Sequence, residues 1–191
     1  MGRVRSGPER LGLRSRAADA SGRAADACMG AAARSADRPG AILAMLLRPY
    51  QSRLVSRAVS ALEAHGNTLA VAPTGAGKTV MLGSLAGEVG GKTLVLQHRQ
   101  ELVAQNMRKF KTINGGAKCS LWTAGTKSFR GDATFAMVQS LYGHLDEMPA
   151  FDLVIADEAH HCAAPTWLSV IERAKELNPA VKVAGFTATP S

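Results

Sequence analysis

Glycines, a lysine and a threonine that lie close together in the sequence could hold the phosphates of a nucleoside triphosphate. They belong to a segment that runs from Ala72 to Thr79 and reads APTGAGKT. It fits the phosphate-loop pattern G-x-x-x-x-G-K-[ST], with Ala72 in the place of the first glycine. Glycines let backbone N–H groups turn toward phosphate oxygens, Lys78 would neutralise the outer phosphates, and the Thr79 hydroxyl is suited to bind Mg²⁺. The residues predicted to bind the nucleotide are Thr74, Gly75, Ala76, Gly77, Lys78 and Thr79.

A second group of residues could supply the chemistry of phosphate hydrolysis. The mainly apolar segment 151–156 leads directly into Asp157, Glu158, Ala159 and His160. In an open α/β sheet, ligands bind at the carboxyl ends of the strands, where this segment would place the two acids. Asp157 would hold Mg²⁺, mainly through water, Glu158 would polarise the attacking water, and His160 would act as a hydrogen-bonding coupler. The alternative is a helix N-terminus decorated with acids, which the phosphate loop disfavours.

Strand and helix patterns that alternate from residue 45 onward would position both motifs. Short apolar segments predict strands at 68–72, 93–96, 119–122, 134–138, 153–156 and 181–186. Helices are predicted at 50–63, 78–88, 99–110, 139–144 and 166–177. Strands that are this apolar and separated by helices indicate a parallel sheet covered on both faces. The sequence therefore predicts an α/β domain of three layers with a mainly parallel central sheet.

The chain divides into two regions of different composition. Residues 1–44 are rich in Ala, Arg, Gly, Ser and Asp and contain no aromatic residue, so we expect them to be disordered or to precede the true start at Met45. Residues 45–191 are expected to form one domain. The formal charge of +8 is divided equally between the two regions, which is weak support for a nucleic-acid partner.

The composition also bears on other classes of protein. Cys28, Cys119 and Cys162 are an odd number of cysteines without paired spacing, which disfavours a disulfide framework or a zinc site and fits a reducing cytosol. The sequence contains no run of about 18 uncharged apolar residues, so no membrane span is expected. We expect a cytoplasmic protein without a membrane partner.

The motifs of residues 47–191, in their order, resemble the first RecA-like domain of superfamily 2 helicases and translocases. The resemblance is to the DEAH-containing branch near the restriction-enzyme and repair-type DNA helicases. Segment 47–51, LRPYQ, resembles the adenine-recognition motif, and segment 96–102 resembles motif Ia. Segment 138–141 resembles the following strand-contacting motif, and segment 187–189, TAT, resembles motif III. An alanine at the first phosphate-loop position is usual in this superfamily.

This resemblance implies a RecA-like P-loop NTPase fold, ATP and Mg²⁺ as cofactors, and ATP hydrolysis. It implies DNA as a partner, with RNA left open, and a role for Gln51 in reading the adenine edge. Contacts with a nucleic-acid strand, or coupling of hydrolysis to movement along it, are implied for His98, Arg99, Gln139, Ser140, Thr187 and Thr189. From the residues alone, Gln139 and Ser140 could instead cap a helix, and the two threonines could be ordinary turn hydroxyls.

The resembled family works with two RecA-like domains, with ATP between them and arginine fingers on the second. We expect the second domain to be supplied elsewhere, and we expect weak turnover by a truncated or partial chain. The leading hypothesis is therefore the ATP-binding half of a DNA helicase or translocase. The alternative is a nucleotide-dependent module that binds nucleic acid or a partner without efficient hydrolysis. An unrelated phosphate-loop ATPase that works through oligomer contacts is disfavoured by the DEAH and Thr-Ala-Thr motifs.

Overall fold

The computed structural model describes residues 47–188 of the chain, so the predicted segment 1–44 and Thr189 lie outside the described residues. The strands within this range are β1 (Asn67–Val71), β2 (Thr93–Gln97), β3 (Cys119–Trp122), β4 (Ala133–Met137), β5 (Leu153–Asp157) and β6 (Lys182–Thr187). The helices are α1 (Pro49–His65), α2 (Lys78–Val89), α3 (Gln100–Ile113), α4 (Val138–Tyr142) and α5 (Pro165–Leu177). Two short 3₁₀ turns cover Leu145–Glu147 and Ala159–His161.

The six strands form one sheet in the order β1-β6-β5-β2-β4-β3, and every neighbouring pair is parallel. The register places Val71 opposite Thr187 and Asp157 opposite Phe186. The carboxyl ends of β1, β6 and β5 therefore lie together at one edge of the sheet. The prediction of a mainly parallel sheet is confirmed, and the phosphate loop and the acidic motif both start at this edge.

Helices cover both faces of the sheet. Successive strand residues point to opposite faces, and Leu94 and Val95 of β2 show the consequence. Leu94 packs in a buried cluster with Trp167 of α5 and Leu141 of α4, whereas Val95 packs in a second cluster to which α1, α2 and α3 contribute, for example through Phe110. The predicted three-layer arrangement is therefore confirmed.

The helix ends differ from the predicted ones for local reasons. Helix α1 extends to His65, because Gly66 ends it in the left-handed region with a φ of 72° and donates its N–H to the Leu62 carbonyl. Helix α4 ends at Tyr142, earlier than predicted, and passes into a turn in which the His144 N–H reaches the Leu141 carbonyl. These shifts move no residue of the two predicted motifs.

Two properties of the described residues bear on the class of protein. Within residues 47–188, no helix is long and apolar enough to cross a membrane. Cys119 and Cys162 are free thiols. Burial raises the pKa of both, that of Cys162 to about 11, so neither has the lowered pKa of an activated nucleophile.

Candidate functional site

The segment between β1 and α2 has the backbone shape of an anion-binding loop. Gly75 and Gly77 adopt the left-handed region with φ values of 82° and 80°, which side chains rarely tolerate. Helix α2 begins at Lys78, so Lys78 and Thr79 occupy its first turn, where backbone N–H groups have no partner within the helix. The helix dipole favours an anion at the same point. The predicted nucleotide-binding residues thus form one turn at a helix start, and their contact with a nucleotide stays a prediction.

Two side chains from the first turn of α1 contact this loop. Gln51 Nε2 and Tyr50 Oη each donate a hydrogen bond of 2.8 Å to the Ala76 carbonyl. Gln51 Oε1 accepts the Arg48 N–H at 2.9 Å, and the residue is only 6% exposed. A Cβ on Gly77 would lie 2.6 Å from Gln51 Nε2 and would displace that amide, in addition to straining the left-handed backbone. The predicted adenine reader is therefore packed against the loop, together with Tyr50, which the sequence did not single out.

Lys78 and Glu158 form an ion pair at the carboxyl edge of the sheet. Lys78 Nζ lies 3.2 Å from Glu158 Oε1, and the two side chains are 15% and 28% exposed. Glu158 is the only non-glycine residue in the described range with a positive φ, 67°. A residue stays in this region only where its surroundings fix it, as at many functional sites. His160 Nδ1 lies 3.4 Å from Glu158 Oε2, so Glu158 contacts two of the other predicted catalytic residues, Lys78 and His160.

Asp157, the fourth predicted catalytic residue, is buried and held by two amide side chains. Its Oδ2 accepts hydrogen bonds from Gln97 Nε2 at 3.1 Å and from Asn106 Nδ2 at 3.2 Å. The Thr79 hydroxyl donates to Asn106 Oδ1 at 3.0 Å. The two residues predicted to bind Mg²⁺, Thr79 and Asp157, are therefore joined through one side chain. Sequence reasoning missed both Gln97 and Asn106.

The environment of Asp157 disfavours its charged form. Burial raises the pKa of the Asp157 carboxyl above its ordinary value, and the charge of Glu158 raises it further. The hydrogen bond from Gln97 and the charge of Lys78 act in the opposite direction. A buried carboxylate is costly unless it is paired, so this position favours a bound cation.

The donor atoms at this position fit Mg²⁺, which prefers oxygen ligands and usually keeps water and substrate phosphates in its shell. Thr79 offers a hydroxyl and Asp157 a carboxylate. Gln97 Oε1 is a buried oxygen next to them for which the described residues provide no hydrogen-bond partner. No cluster of three or more His, Cys, Asp or Glu side chains between residues 47 and 188 could hold a metal alone. The residues thus fit a cation that is bound jointly with phosphate.

The residues assigned to motif Ia lie beside the acidic motif. The imidazole ring of His98 is 4.5 Å from that of His161, which is 4.1 Å from the ring of His160. Arg99 Nε donates to His98 Nε2 at 3.1 Å, an arrangement that needs an unprotonated nitrogen. Burial lowers the pKa of His98, and His161, Arg99 and His160 lower it further against the opposing charge of Glu158. Burial and these neighbouring groups thus favour the neutral form of His98.

Thr187 connects the acidic motif to the phosphate loop. It is 2% exposed, and its Oγ1 lies 3.4 Å from His160 Nδ1. Its carbonyl accepts the N–H of Ala72, the first residue of the loop, at 2.9 Å. The coupling role of Thr187 stays a prediction, and Thr189 is not among the described residues.

Gln139 and Ser140 lie in a different cleft at the same edge of the sheet. The cleft has a volume of about 400 Å³ and is formed by the start of α3, the start of α4 and the loop after β3. Its lining residues are Gln100, Ala124, Lys127, Met137, Gln139, Ser140, Gly143 and His144. The predicted strand contacts thus fall into two groups, one beside the acids and one in this cleft.

Lys127 is held in place in the cleft by its neighbours. Its Nζ lies 2.6 Å from His144 Nε2 and 5.9 Å from the centroid of the Trp122 ring. His144 Nδ1 lies 2.9 Å from Glu147 Oε1. The contacts therefore run from Lys127 through the His144 ring to Glu147. Lys127 is exposed, as is usual for a lysine in a loop, and the sequence pattern did not indicate these contacts.

The chain is similar to known proteins over most of its length. The protein-family model described as type III restriction enzyme, res subunit, matches residues 44–191. The chain is 32% identical over 166 residues to the "Putative mitochondrial ATP-dependent helicase irc3" of Schizosaccharomyces pombe, covering 76% of this chain and 26% of that protein. It is 28% identical over 163 residues to the "Putative ATP-dependent helicase IRC3" of Saccharomyces cerevisiae, covering 76% and 24%. The chain therefore spans about a quarter of the length of these curated relatives.

Solved structures share the fold. The Hef helicase domain of Pyrococcus furiosus is similar with a TM-score of 0.67 and 24% identity, over 77% of this chain and 34% of that one. The Type ISP restriction-modification enzyme LlaGI, solved as a nuclease-deletion mutant with a DNA substrate mimic, is similar with a TM-score of 0.58 and 19% identity, over 75% and 17%. At these identities the likeness shows the fold alone, and it confirms the predicted RecA-like fold class.

Proposed function

Because the chain belongs to the family of type III restriction enzyme res subunits, we propose that it is the ATP-binding half of an ATP-dependent DNA helicase or translocase. The family match and the fold identify it as a first RecA-like domain of the superfamily 2 helicases. We propose residues 45–191 as the extent of this domain, in agreement with a family match that begins at residue 44. The names of the two yeast relatives, which describe ATP-dependent helicases, support the proposal.

The contact between Lys78 and Glu158 carries the proposal. It places Lys78 Nζ, at the start of α2, 3.2 Å from the carboxylate of Glu158, which directly follows the buried Asp157. Before nucleotide binds, each charge serves as the counter-ion of the other. A triphosphate that enters the loop would take over Lys78 and leave Glu158 beside the terminal phosphate. A phosphate-binding group and a water-orienting group would then act on the same atom.

Each residue of the site has a defined task in this hydrolysis. Lys78 and the N–H groups at the start of α2 bind phosphate oxygens. Glu158, released from Lys78, accepts a hydrogen bond from the attacking water and orients it toward the γ-phosphate. Thr79 and Asp157 would hold Mg²⁺, which supplies positive charge to the phosphate oxygens when it is bound. His160 contacts both Glu158 and Thr187, so it can relay the state of the acid to β6.

Gln51 retains the groups that adenine recognition needs. A carboxamide has two N–H donors and two acceptor lone pairs. Gln51 uses one donor on the Ala76 carbonyl and one lone pair on the Arg48 N–H, which leaves one of each. A donor beside an acceptor complements N7 and the N6 amino group of adenine. Base recognition would therefore be linked directly to the position of the phosphate loop.

The nucleic-acid strand is proposed to cross the carboxyl edge of the sheet. His98 and Arg99 would contact it beside the acidic motif, and Gln139 and Ser140 would contact it in the cleft. Lys127 adds a cation to the cleft, where the described lining residues include no carboxylate. Polar and cationic groups of this kind bind the sugar–phosphate backbone rather than base edges. DNA is the proposed strand, and RNA is the competitor to be tested.

A second RecA-like domain is proposed to complete the site. Between residues 47 and 188, no arginine forms an ion pair with Asp157 or Glu158. An arginine finger can contribute about 10³–10⁵ to the rate of phosphoryl transfer. This domain alone should therefore bind ATP and hydrolyse it slowly.

The test is ATP hydrolysis by the purified chain, with and without single-stranded DNA or RNA, before and after a matching second RecA-like domain is added at high concentration. We expect near-background turnover from the chain alone and a DNA-dependent rise on addition. Hydrolysis at ordinary helicase rates by the chain alone would contradict the proposal that a second RecA-like domain completes the ATP site. Nucleotide-dependent strand binding without any rise in hydrolysis would favour the alternative, a binding module.

A further inference from the structure

Asn106 occupies a position between the two proposed Mg²⁺ ligands. It lies on α3, is 6% exposed, and contacts both Thr79 Oγ1 at 3.0 Å and Asp157 Oδ2 at 3.2 Å. The buried face of α3 is otherwise formed by Val103 and Phe110. A polar side chain on an apolar helix face is costly unless its hydrogen bonds are made, and here both ends of the amide are used.

The directions of these hydrogen bonds orient the Thr79 hydroxyl. A hydroxyl has one hydrogen and two acceptor lone pairs. Thr79 gives its hydrogen to Asn106 Oδ1, so the lone pairs of Oγ1 remain available to another partner. A hydroxyl that binds a cation must present a lone pair to it. The contact with Asn106 therefore sets Thr79 in the orientation that a metal ligand requires.

The carboxylate of Asp157 is oriented by the same side chain. Its Oδ2 accepts from Asn106 Nδ2 and from Gln97 Nε2, so one oxygen is occupied by two N–H donors. Gln97 is 2% exposed and supports the carboxylate from β2. With Oδ2 fixed in this way, the rotation of the carboxylate and the direction of Oδ1 are fixed as well.

We propose that Asn106 is a positioning residue that orients Thr79 and Asp157 together for Mg²⁺, an inference that rests on the proposed function. Partners that orient metal ligands typically change metal affinity or activity by about 10–100-fold when they are removed. Asn106 differs from an ordinary outer partner because one amide orients two ligands on different elements, the start of α2 and the end of β5. Its loss would therefore disturb both at once.

The experiment measures the affinity of a fluorescent ATP analogue as a function of Mg²⁺ concentration, and again in EDTA, for the full chain. Asn106→Leu keeps the branched shape of the side chain and removes both hydrogen bonds, and Asn106→Ala is a second variant with a different packing change. Gln105→Leu, at an exposed neighbouring position on α3, is the control. We expect the half-saturating Mg²⁺ concentration to rise about 10–100-fold in either Asn106 variant and to stay unchanged in the control. Affinity in EDTA should change by less than about twofold, because Asn106 does not contact the phosphate loop backbone.

A purely structural Asn106 would give a different result. It would lower the melting temperature of both variants and leave the Mg²⁺ titration of the folded fraction like that of the unaltered chain, which would overturn the inference. If the unaltered chain shows no Mg²⁺-dependent nucleotide binding, the proposed function fails and the inference fails with it. If the unaltered chain shows such binding and only the Asn106 variants lose its Mg²⁺ dependence, both are supported.

Discussion

Lys78 Nζ and Glu158 Oε1 lie 3.2 Å apart although the strands that precede them, β1 and β5, are separated by β6 in the sheet. The parallel arrangement makes this contact possible, because it brings the carboxyl ends of all three strands to one edge. The loop after β1 then turns over the end of β6 toward β5. Thr187 is the last residue of β6, the strand between β1 and β5 in the sheet. Its hydroxyl contacts His160 of the same acidic motif.

Asp157→Asn should raise the melting temperature at pH 7. Burial raises the pKa of Asp157, so above that pKa the folded protein keeps a charge that the unfolded chain would hold in water at less cost. The carboxylate therefore lowers stability at neutral pH, and this loss disappears as the pH falls through the folded pKa toward 3.8. The gain of the variant should shrink over the same range in melting curves.

The matched control for this prediction is Asp152→Asn. Asp152 precedes the same strand, and its Oδ2 accepts the Lys92 N–H at 2.7 Å at the opposite edge of the sheet. It should show no gain at pH 7. A melting temperature that falls equally in both variants would contradict the account of Asp157 as a functional acid that costs stability.

Gln51→Ala should weaken the preference for ATP over GTP. A bidentate amide contact with adenine contributes about 1–3 kcal/mol of discrimination, which corresponds to about 5-fold to 150-fold in relative affinity. Competition between the two nucleotides for the chain measures the preference, with Gln105→Ala as an exposed control. If the ratio of ATP affinity to GTP affinity is unchanged in a folded Gln51→Ala protein, Gln51 only supports the phosphate loop and does not read the base.

Lys127→Ala should reduce the salt dependence of strand binding. A lysine that neutralises one phosphate contributes about one to the slope of log affinity against log salt. Lys175→Ala is the control, because Lys175 is exposed near the end of α5. Titrations of single-stranded DNA at several salt concentrations give the slope. If the Lys127 variant and the unaltered chain show the same slope, the nucleic-acid strand does not bind in the cleft.

Most of the fold could be predicted because its signals are local. Strand β3 has the predicted bounds of 119–122, and β5 differs from its prediction by one residue at its end. Apolar runs such as β2, in which every residue is buried, are typical of a central strand in a covered parallel sheet. The order of the strands and the pairing of Val71 with Thr187 needed the three-dimensional structure, because they depend on contacts between distant segments.

Asn106 was not predicted as a supporting residue because it matches no motif, and Gln97 lies in the segment that resembles motif Ia without a role having been assigned to it. Asn106 stands three residues after Val103 and four before Phe110, so it continues the buried face of α3. A polar residue in such a series is a usable signal, since it must find a hydrogen-bond partner in the interior. The left-handed backbone of Glu158 had no comparable signal, because glycine and asparagine are the residues that ordinarily indicate it.

The most direct test of the account is the equilibrium affinity of Mg-ATP for the unaltered chain and for Lys78→Ala and Glu158→Gln. We predict at least about tenfold weaker binding for Lys78→Ala, because a charge-assisted hydrogen bond contributes about 1.5–3 kcal/mol. Glu158→Gln should bind at least as tightly as the unaltered chain, because it removes the carboxylate that competes with phosphate for Lys78. In the presence of the second domain, its hydrolysis should fall by about 10²–10⁴. Equal Mg-ATP affinity in the unaltered chain and folded Lys78→Ala would contradict the account.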